Sequence, residues 1–205
     1  MRSYDQACPI ARALDAVGDR WSLLVVRELM IGECRFRDLQ EGLPGVATNL
    51  LADRLRDLRD AGVVEHDGGT RGSYRLTPRG RELAPVLGAL ARWGAAEVTG
   101  GEGRARWVAL YACGALEAPR RGGPLAVELA TPDGAAVAVL DRTGNRVAPE
   151  PAAHADVRLR GEPAALIRAL RDGSLDGDPG VTVEGNAAAR RRLAALLPSP
   201  APHSV

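Results

Sequence analysis

The sequence predicts an α+β protein of two unlike domains, and three observations carry that expectation. Apolar residues recur at helical spacing as far as about Val98. They then give way to short alternating runs, Leu125/Val127/Leu129, Val137/Val139, Val157/Leu159 and Val181/Val183, the mark of strands with one buried face. Between the two stretches stands Thr99-Gly100-Gly101-Glu102-Gly103, a run of glycines that no helix carries cheaply. A length of 205 residues suits one large or two small domains. The expected division is therefore 1–98 and 104–197, with the proline-rich 198–205 as a flexible tail.

In the first half, Pro9 to Val17 and Arg20 to Met30 read as two helices. Asp19 is placed to cap the second, Trp21, Leu24, Val25 and Leu29 face inward, and Gly32 stops it. Phe36 to Glu41 is a short helix and Leu43-Pro44-Gly45 a turn. Thr48 to Ala61 is the next helix, with Leu51, Leu55 and Leu58 on one face and Asn49, Asp53, Arg56 and Asp60 pointing away. Val63 to His66 and Ser73 to Thr77 are strands around a glycine-rich tip, Asp67 to Gly72. Pro78 opens a helix that runs to about Val98. This order is a helix-turn-helix with a β-hairpin wing, which presents a second helix to the DNA major groove while the first braces it.

In the second half, Arg104 to Glu117 reads as a helix carrying Trp107, Leu110 and Tyr111 near one stripe. Strands are expected at Leu125 to Ala130, Ala135 to Asp141, Arg146 to Ala148, Ala155 to Arg160 and Val181 to Glu184. Helices are expected at Pro163 to Asp172 and Ala187 to Leu197. The architecture this predicts is a largely antiparallel sheet with helices on one face, a layering that can leave a cavity between the layers.

Composition narrows the chemistry. The formal net charge is only +1, so a nucleic-acid signal has to be local. Gly68 to Arg81 supplies one, with Arg71, Arg75, Arg79 and Arg81 and no acid, a basic hairpin suited to phosphates. Aromatic residues are 3%, which disfavours base stacking as a binding mode. The three cysteines, Cys8, Cys34 and Cys113, have no metal-ligand spacing and read as thiols. His66, His154 and His203 are scattered, no catalytic or phosphate-binding motif is present, and Asp176-Gly177-Asp178 lacks the rest of a calcium loop. We expect no enzyme, no cofactor and no metal. The acidic, discontinuous N-terminus does not read as a secretory signal and no long apolar run appears, so the expectation is a cytoplasmic protein with no membrane partner.

The geometry of the motif selects candidate DNA contacts. Thr48, Asn49 and Ala52 lie at the exposed start of the recognition helix, where base edges are read. Arg54 and Arg56 lie farther along it, Arg35 and Arg37 open the bracing helix, and Arg71 and Arg75 belong to the wing. Because Asp53, Asp57 and Asp60 alternate with Arg54, Arg56 and Arg59, ion pairing along the helix is an equally open role for those arginines.

Several segments resemble the HxlR family of winged-helix regulators: Cys8-Pro9, Val17-Gly18-Asp19-Arg20-Trp21, Arg35-Phe36-Arg37-Asp38-Leu39, Leu51 to Val64, Tyr74 to Gly80 and Trp93-Gly94. The resemblance covers nearly all of the first 95 residues in order. It implies a transcriptional regulator that binds double-stranded DNA as a homodimer, joined through the first and last helices of this domain, on an inverted repeat. The family commonly opens the recognition helix with Ser where this chain has Ala47; Thr48 is then the expected cap, or the helix starts one residue late. Cys8 corresponds to the cysteine that some members use to sense oxidants or electrophiles. A thiol near a helix start can be acidified by the dipole, and a small packed residue at the dimer interface is the other reading. Cys34 and Cys113 read as buried small hydrophobes.

In the second half, Ala155 to Gly173 and Gly180 to Leu196 resemble a sterol-carrier-protein-like domain, mostly through hydrophobic spacing and glycines. That resemblance implies an internal site for an apolar effector, with Trp107, Leu110, Tyr111, Val127, Leu129, Val137, Val139, Leu166 and Leu170 as candidate lining and Tyr111 as a polar handle. A packed domain without a cavity is the competing expectation. The function expected is a homodimeric regulator modulated by an apolar small molecule; the alternative is a thiol-based repressor acting through Cys8 with a structural C-terminal domain.

Overall fold

In the computed structural model, residues 3–69, 72–119, 122–148 and 154–198 are described. The chain divides into two compact units, Met1–Leu87 and Gly88–Val205, so the division falls inside a helix and ahead of the glycine run. The expected tail lies outside the described residues from 199 onward.

The first unit contains α1 (Pro9–Val17), α2 (Ser22–Ile31), β1 (Cys34–Arg35), α3 (Phe36–Gly42), α4 (Thr48–Asp60), β2 (Val64–His66), β3 (Ser73–Leu76) and α5 (Pro78–Arg81). The next helix, α6 (Ala84–Gly94), begins in it. Leu51, Leu55 and Leu58 fall on one side of α4 and are fully buried with Val25, Val26, Leu29 and Leu39 in a single core. Each such side chain contributes roughly 1.5–3 kcal/mol when removed from water, which seats α4 against α2 and α3. Gly62, at a φ of 68°, ends the α4 turn and directs the chain into β2.

Three expectations are corrected. Asp19 does not cap α2 through its side chain: the N-cap is Trp21, and the Asp19 carbonyl accepts the Ser22 N–H at 3.0 Å. β1 was not expected; it pairs antiparallel with β3, giving a small sheet of order β1-β3-β2. The helix expected from Pro78 to Val98 is broken into α5, α6 and a 3₁₀ turn at Ala95–Glu97. Pro85 explains the first break, because mid-helix it would remove a backbone donor and clash with the preceding turn, whereas in the first turn of α6 it costs nothing.

In the second unit, α7 (Ala105–Ala115), β4 (Leu125–Thr131), β5 (Gly134–Leu140), β6 (Arg146–Val147), β7 (Val157–Gly161), α8 (Pro163–Asp172), β8 (Val181–Gly185) and α9 (Ala187–Ala194) follow the residues of α6 from Gly88 onward. The sheet order is β6-β5-β4-β7-β8, antiparallel except for the β4–β7 pair. Asp133, in the β4–β5 turn, accepts the first N–H of α7 at 3.1 Å. At the other end of that helix, Asn145 donates to the Cys113 and Leu116 carbonyls at 3.0 Å each. The turns at the two ends of β5 thus each supply partners to one terminus of α7. Gly88 and Gly114 meet backbone to backbone, which lets α6 and α7 approach closely.

The register decides which residues share a face. Leu125, Val127 and Leu129 pair across to Leu140, Ala138, Ala136, Val157 and Leu159. Val137 and Val139 pair with Glu128 and Ala126 and stand on the opposite face. There, Arg158 holds Glu128 in a two-pronged bond (2.5 and 3.1 Å) and reaches Glu184 at 3.5 Å, a row of charges across three strands.

Candidate nucleic-acid interface

Residues 36–60 form the helix-turn-helix. α3 braces α4 through Leu39 in the core and through one polar contact, Gln40 Nε2 donating to Thr48 Oγ1 at 2.7 Å. That hydroxyl is therefore held by the neighbouring helix. Thr48 is not the cap; the N-cap is Ala47, which offers no side-chain acceptor. The first N–H groups of α4 consequently face outward without a side-chain partner from the cap, in the position where a helix start receives an anion. Thr48, Asn49 and Ala52 are all exposed there.

The arginines sort into two kinds. Arg37 (88% exposed) and Arg56 (65%) hold only solvent-exposed pairs, with Glu41 at 2.9 Å and Asp53 at 3.0 Å. Such pairs are worth about 0–1 kcal/mol and yield readily to a phosphate. Arg35 is exposed, and its N–H donates to Asp38 at 2.8 Å, which leaves the guanidinium outside the cap. Arg54 differs. Its side chain is 17% exposed and folds back onto Asp19 and onto Asp57 at 3.2 Å. Arg54, for which a DNA contact and ion pairing were both open on the sequence, joins α4 to the α1–α2 turn, and Asp19, expected as a cap, is its partner.

The wing is less basic than its sequence suggests. Arg75 bonds Glu65 at 2.9 Å, and the charges of Glu65, Glu33 and Asp67 reinforce its protonated form. Asp67 also accepts the Ser73 N–H at 2.8 Å and closes the hairpin, while His66 lies against Tyr74 with ring centroids 4.4 Å apart. Arg71 lies outside the described residues. At the wing base, the Thr77 hydroxyl donates to the Gly62 carbonyl at 2.7 Å and accepts from the Gly80 N–H at 3.0 Å. Gly80 sits against the Val63 carbonyl with no room for a side chain.

The chain matches the HxlR-like helix-turn-helix family model over residues 16–101. The HTH-type transcriptional regulator sll1512 of Synechocystis is 42% identical over 91 residues, spanning 42% of this chain and 67% of that protein. The chain belongs to the HxlR-like helix-turn-helix family. The regulator YvaP of Bacillus subtilis is 36% identical over 96 residues, covering 44% of this chain and 89% of its own length. Among solved structures, PA1607 is 41% identical, with 49% of this chain and 72% of that one aligned at a TM-score of 0.43. As an HxlR-type protein the chain is a DNA-binding transcriptional regulator. The family match ends at residue 101, close to where α7 begins.

The cysteines occupy three environments and none forms a disulfide. Cys8 is the N-cap residue of α1, followed by Pro9, and its side chain makes no capping bond. Cys34 lies on β1 with its thiol 3.5 Å from the Gly32 carbonyl. Burial pushes the Cys113 thiol up to about 12, which keeps it protonated and unreactive.

Of the candidate effector-lining residues, Val127, Leu129, Leu166 and Leu170 are fully buried and Tyr111 nearly so. Trp107 and Leu110 are half-buried on α7. Val137 and Val139 face the other side of the sheet. Two cavities lie elsewhere in the second unit. One of about 490 Å³ is lined by Thr131, Arg160, Glu162 and Thr182. The other, about 320 Å³, is lined by Leu175, Val183, Arg190, Leu193 and Leu197. None of the nine candidate effector-lining residues lines the cavity beside Arg160 or the cavity beside Arg190. Among the described residues no helix is long and apolar enough to cross a membrane, and no group of His, Cys, Asp and Glu could hold a metal.

Proposed function

We propose that the chain acts as a homodimer on an inverted repeat, reads bases through the first turn of α4, and is modulated by an apolar small molecule taken up by its second domain. The observation that carries the reading head is the exposed start of α4, where Thr48, Asn49 and Ala52 face outward, anchored from below by three buried leucines and from the side by Gln40. Asn49 is the base reader: an amide pairs in two-pronged fashion with adenine. Arg35, Arg37 and Arg56 hold phosphates, with Arg71 and Arg75 of the wing, and Arg54 keeps the reading helix in place.

Exposed apolar side chains support the dimer. Tyr4, Ile10 (71% exposed) and Leu14 stand out on and before α1, and Val86, Leu90 and Trp93 (83%) recur on one side of α6. Large exposed apolar side chains clustered on a helix mark an interaction surface. The reader spans 1–98 and the effector domain 104–197, whose β7–α8 and β8–α9 segments carry the sterol-carrier-like pattern. α6 leads the chain from one unit into the other, and an effector acts by binding one state of the dimer better than the other.

The test is an anisotropy titration of the protein on its own upstream intergenic DNA and on a scrambled duplex, with and without an apolar extract of the host. The proposal expects salt-sensitive preference for the upstream DNA, loss of that preference in Asn49→Ala, and a changed affinity with the extract. Equal binding to both duplexes refutes the reader; indifference to the extract refutes the effector.

A further inference from the structure

The cavity that the sequence did not signal lies between the loop after α8, β8 and α9. Its volume is about 320 Å³, at the lower end of the roughly 300–1,000 Å³ typical of small-molecule sites. Leu175, Val183, Leu193 and Leu197 line it; Leu193 is fully buried and Leu175 nearly so. Arg190 is the one cation in the lining, and it pairs directly with Asp176, which also lines the cavity. Both partners are exposed, Asp176 the more so.

Each feature narrows the ligand. The four aliphatic side chains call for an apolar body. A single guanidinium calls for one negative charge and offers a planar fork that matches a carboxylate. The exposed Arg190–Asp176 pair is worth about 0–1 kcal/mol, so a ligand carboxylate can take the place of Asp176 at little cost. The wall is pre-formed. Gly173, in the left-handed conformation at a φ of 67°, caps α8, and the Ser174 N–H returns to the Ala169 carbonyl at 3.1 Å. Beyond the loop, Asp178 accepts two bonds from Arg168, at 2.8 and 3.0 Å, and one from the Gly180 N–H at 2.9 Å. A loop fixed at both ends loses little entropy when a ligand enters.

We infer that this cavity binds a small amphipathic monocarboxylate, with its apolar chain against Val183 and Leu197 and its carboxylate on Arg190. The inference rests on the reading of the second domain as an effector domain and names the chemistry of the effector.

The test uses the full chain, octanoate as probe and octanol as its uncharged counterpart, both titrated by calorimetry. Octanoate is expected to bind at one site per chain. Arg190→Gln is expected to weaken octanoate about tenfold while leaving octanol within about twofold. Ala194→Phe fills the cavity from an exposed position and removes no core side chain; it is expected to abolish both. Circular dichroism confirms that both variants fold. No octanoate binding to the wild-type chain, or binding that neither substitution changes, overturns the inference. The DNA titration repeated with octanoate separates the two proposals: blockable octanoate binding with unchanged DNA affinity keeps the site and refutes its role as an effector site.

Discussion

Arg54→Ala separates a clamp from a DNA contact. In the structure Arg54 is largely buried and joins Asp19, between α1 and α2, to Asp57 one turn along α4. Its removal leaves Asp57 half-buried without its cation. A partly buried charged contact lies between the roughly 0–1 kcal/mol of a surface pair and the roughly 1.5–3 kcal/mol of a desolvated charged hydrogen bond. We therefore expect a loss of about 1–2 kcal/mol from the first unit. In urea, followed by the α-helical circular dichroism of the chain, that is a midpoint shift of about 0.5–1 M for a slope near 2 kcal/mol/M. DNA affinity falls modestly, but the slope of log affinity against log salt stays at the wild-type value, because no phosphate contact is lost. Arg56→Ala does the reverse: stability is unchanged, and the salt slope drops by about 0.9. If Arg54→Ala is as stable as wild type and its salt slope falls by that same increment, Arg54 contacts phosphate and the clamp assignment is wrong.

Further predictions follow from particular contacts. Gly80→Ala drives a methyl group into the Val63 carbonyl and should cost about 1–3 kcal/mol; an unchanged melting temperature contradicts this. The Asp178 carboxyl is held below its usual range, first by Arg168 and then by the Gly180 N–H. Its folded value lies below the unfolded one, so its contribution is present above about pH 4 and lost as pH falls through the folded value; Asp178→Asn should blunt that acid limb, and an identical acid titration of the variant refutes the assignment. Cys113 should resist iodoacetamide in the folded chain at mildly alkaline pH, and peptide mapping that finds it labelled as fast as Cys8 contradicts its burial. Ile10→Glu should shift the protein from dimer to monomer in light scattering; a persistent dimer places the interface elsewhere.

Much of the fold was legible because local rules agree with tertiary ones. The spacing of Leu51, Leu55 and Leu58, closed by Gly62, marks α4, and the core bears it out. The alternating runs mark every long strand of the second sheet. Period alone does not say which face a strand buries. The Pro132-Asp133 turn sets Thr131 opposite Gly134, and that register turns Val137 and Val139 away from Val127 and Leu129. β1 is two residues long and exists only because β3 lies beside it. The Arg54–Asp19 clamp and the Gln40–Thr48 bond join residues from different elements. No local pattern records them, so neither the hold of Arg54 on Asp19 nor the place of Ala47 as the N-cap of α4 was legible in the sequence. The cavity at Arg190 was invisible for the same reason: it is built from a loop, a strand and a helix that meet only in the fold.

In the proposed mode of binding, two copies of α4 enter successive major grooves of an inverted repeat. Hydroxyl-radical footprinting of the chain on its upstream intergenic DNA tests it most directly. Two symmetric protected patches are expected, with centres about 34 Å apart, one helical turn, both lost together in Asn49→Ala. A single protected patch, or uniform protection along the duplex, contradicts it.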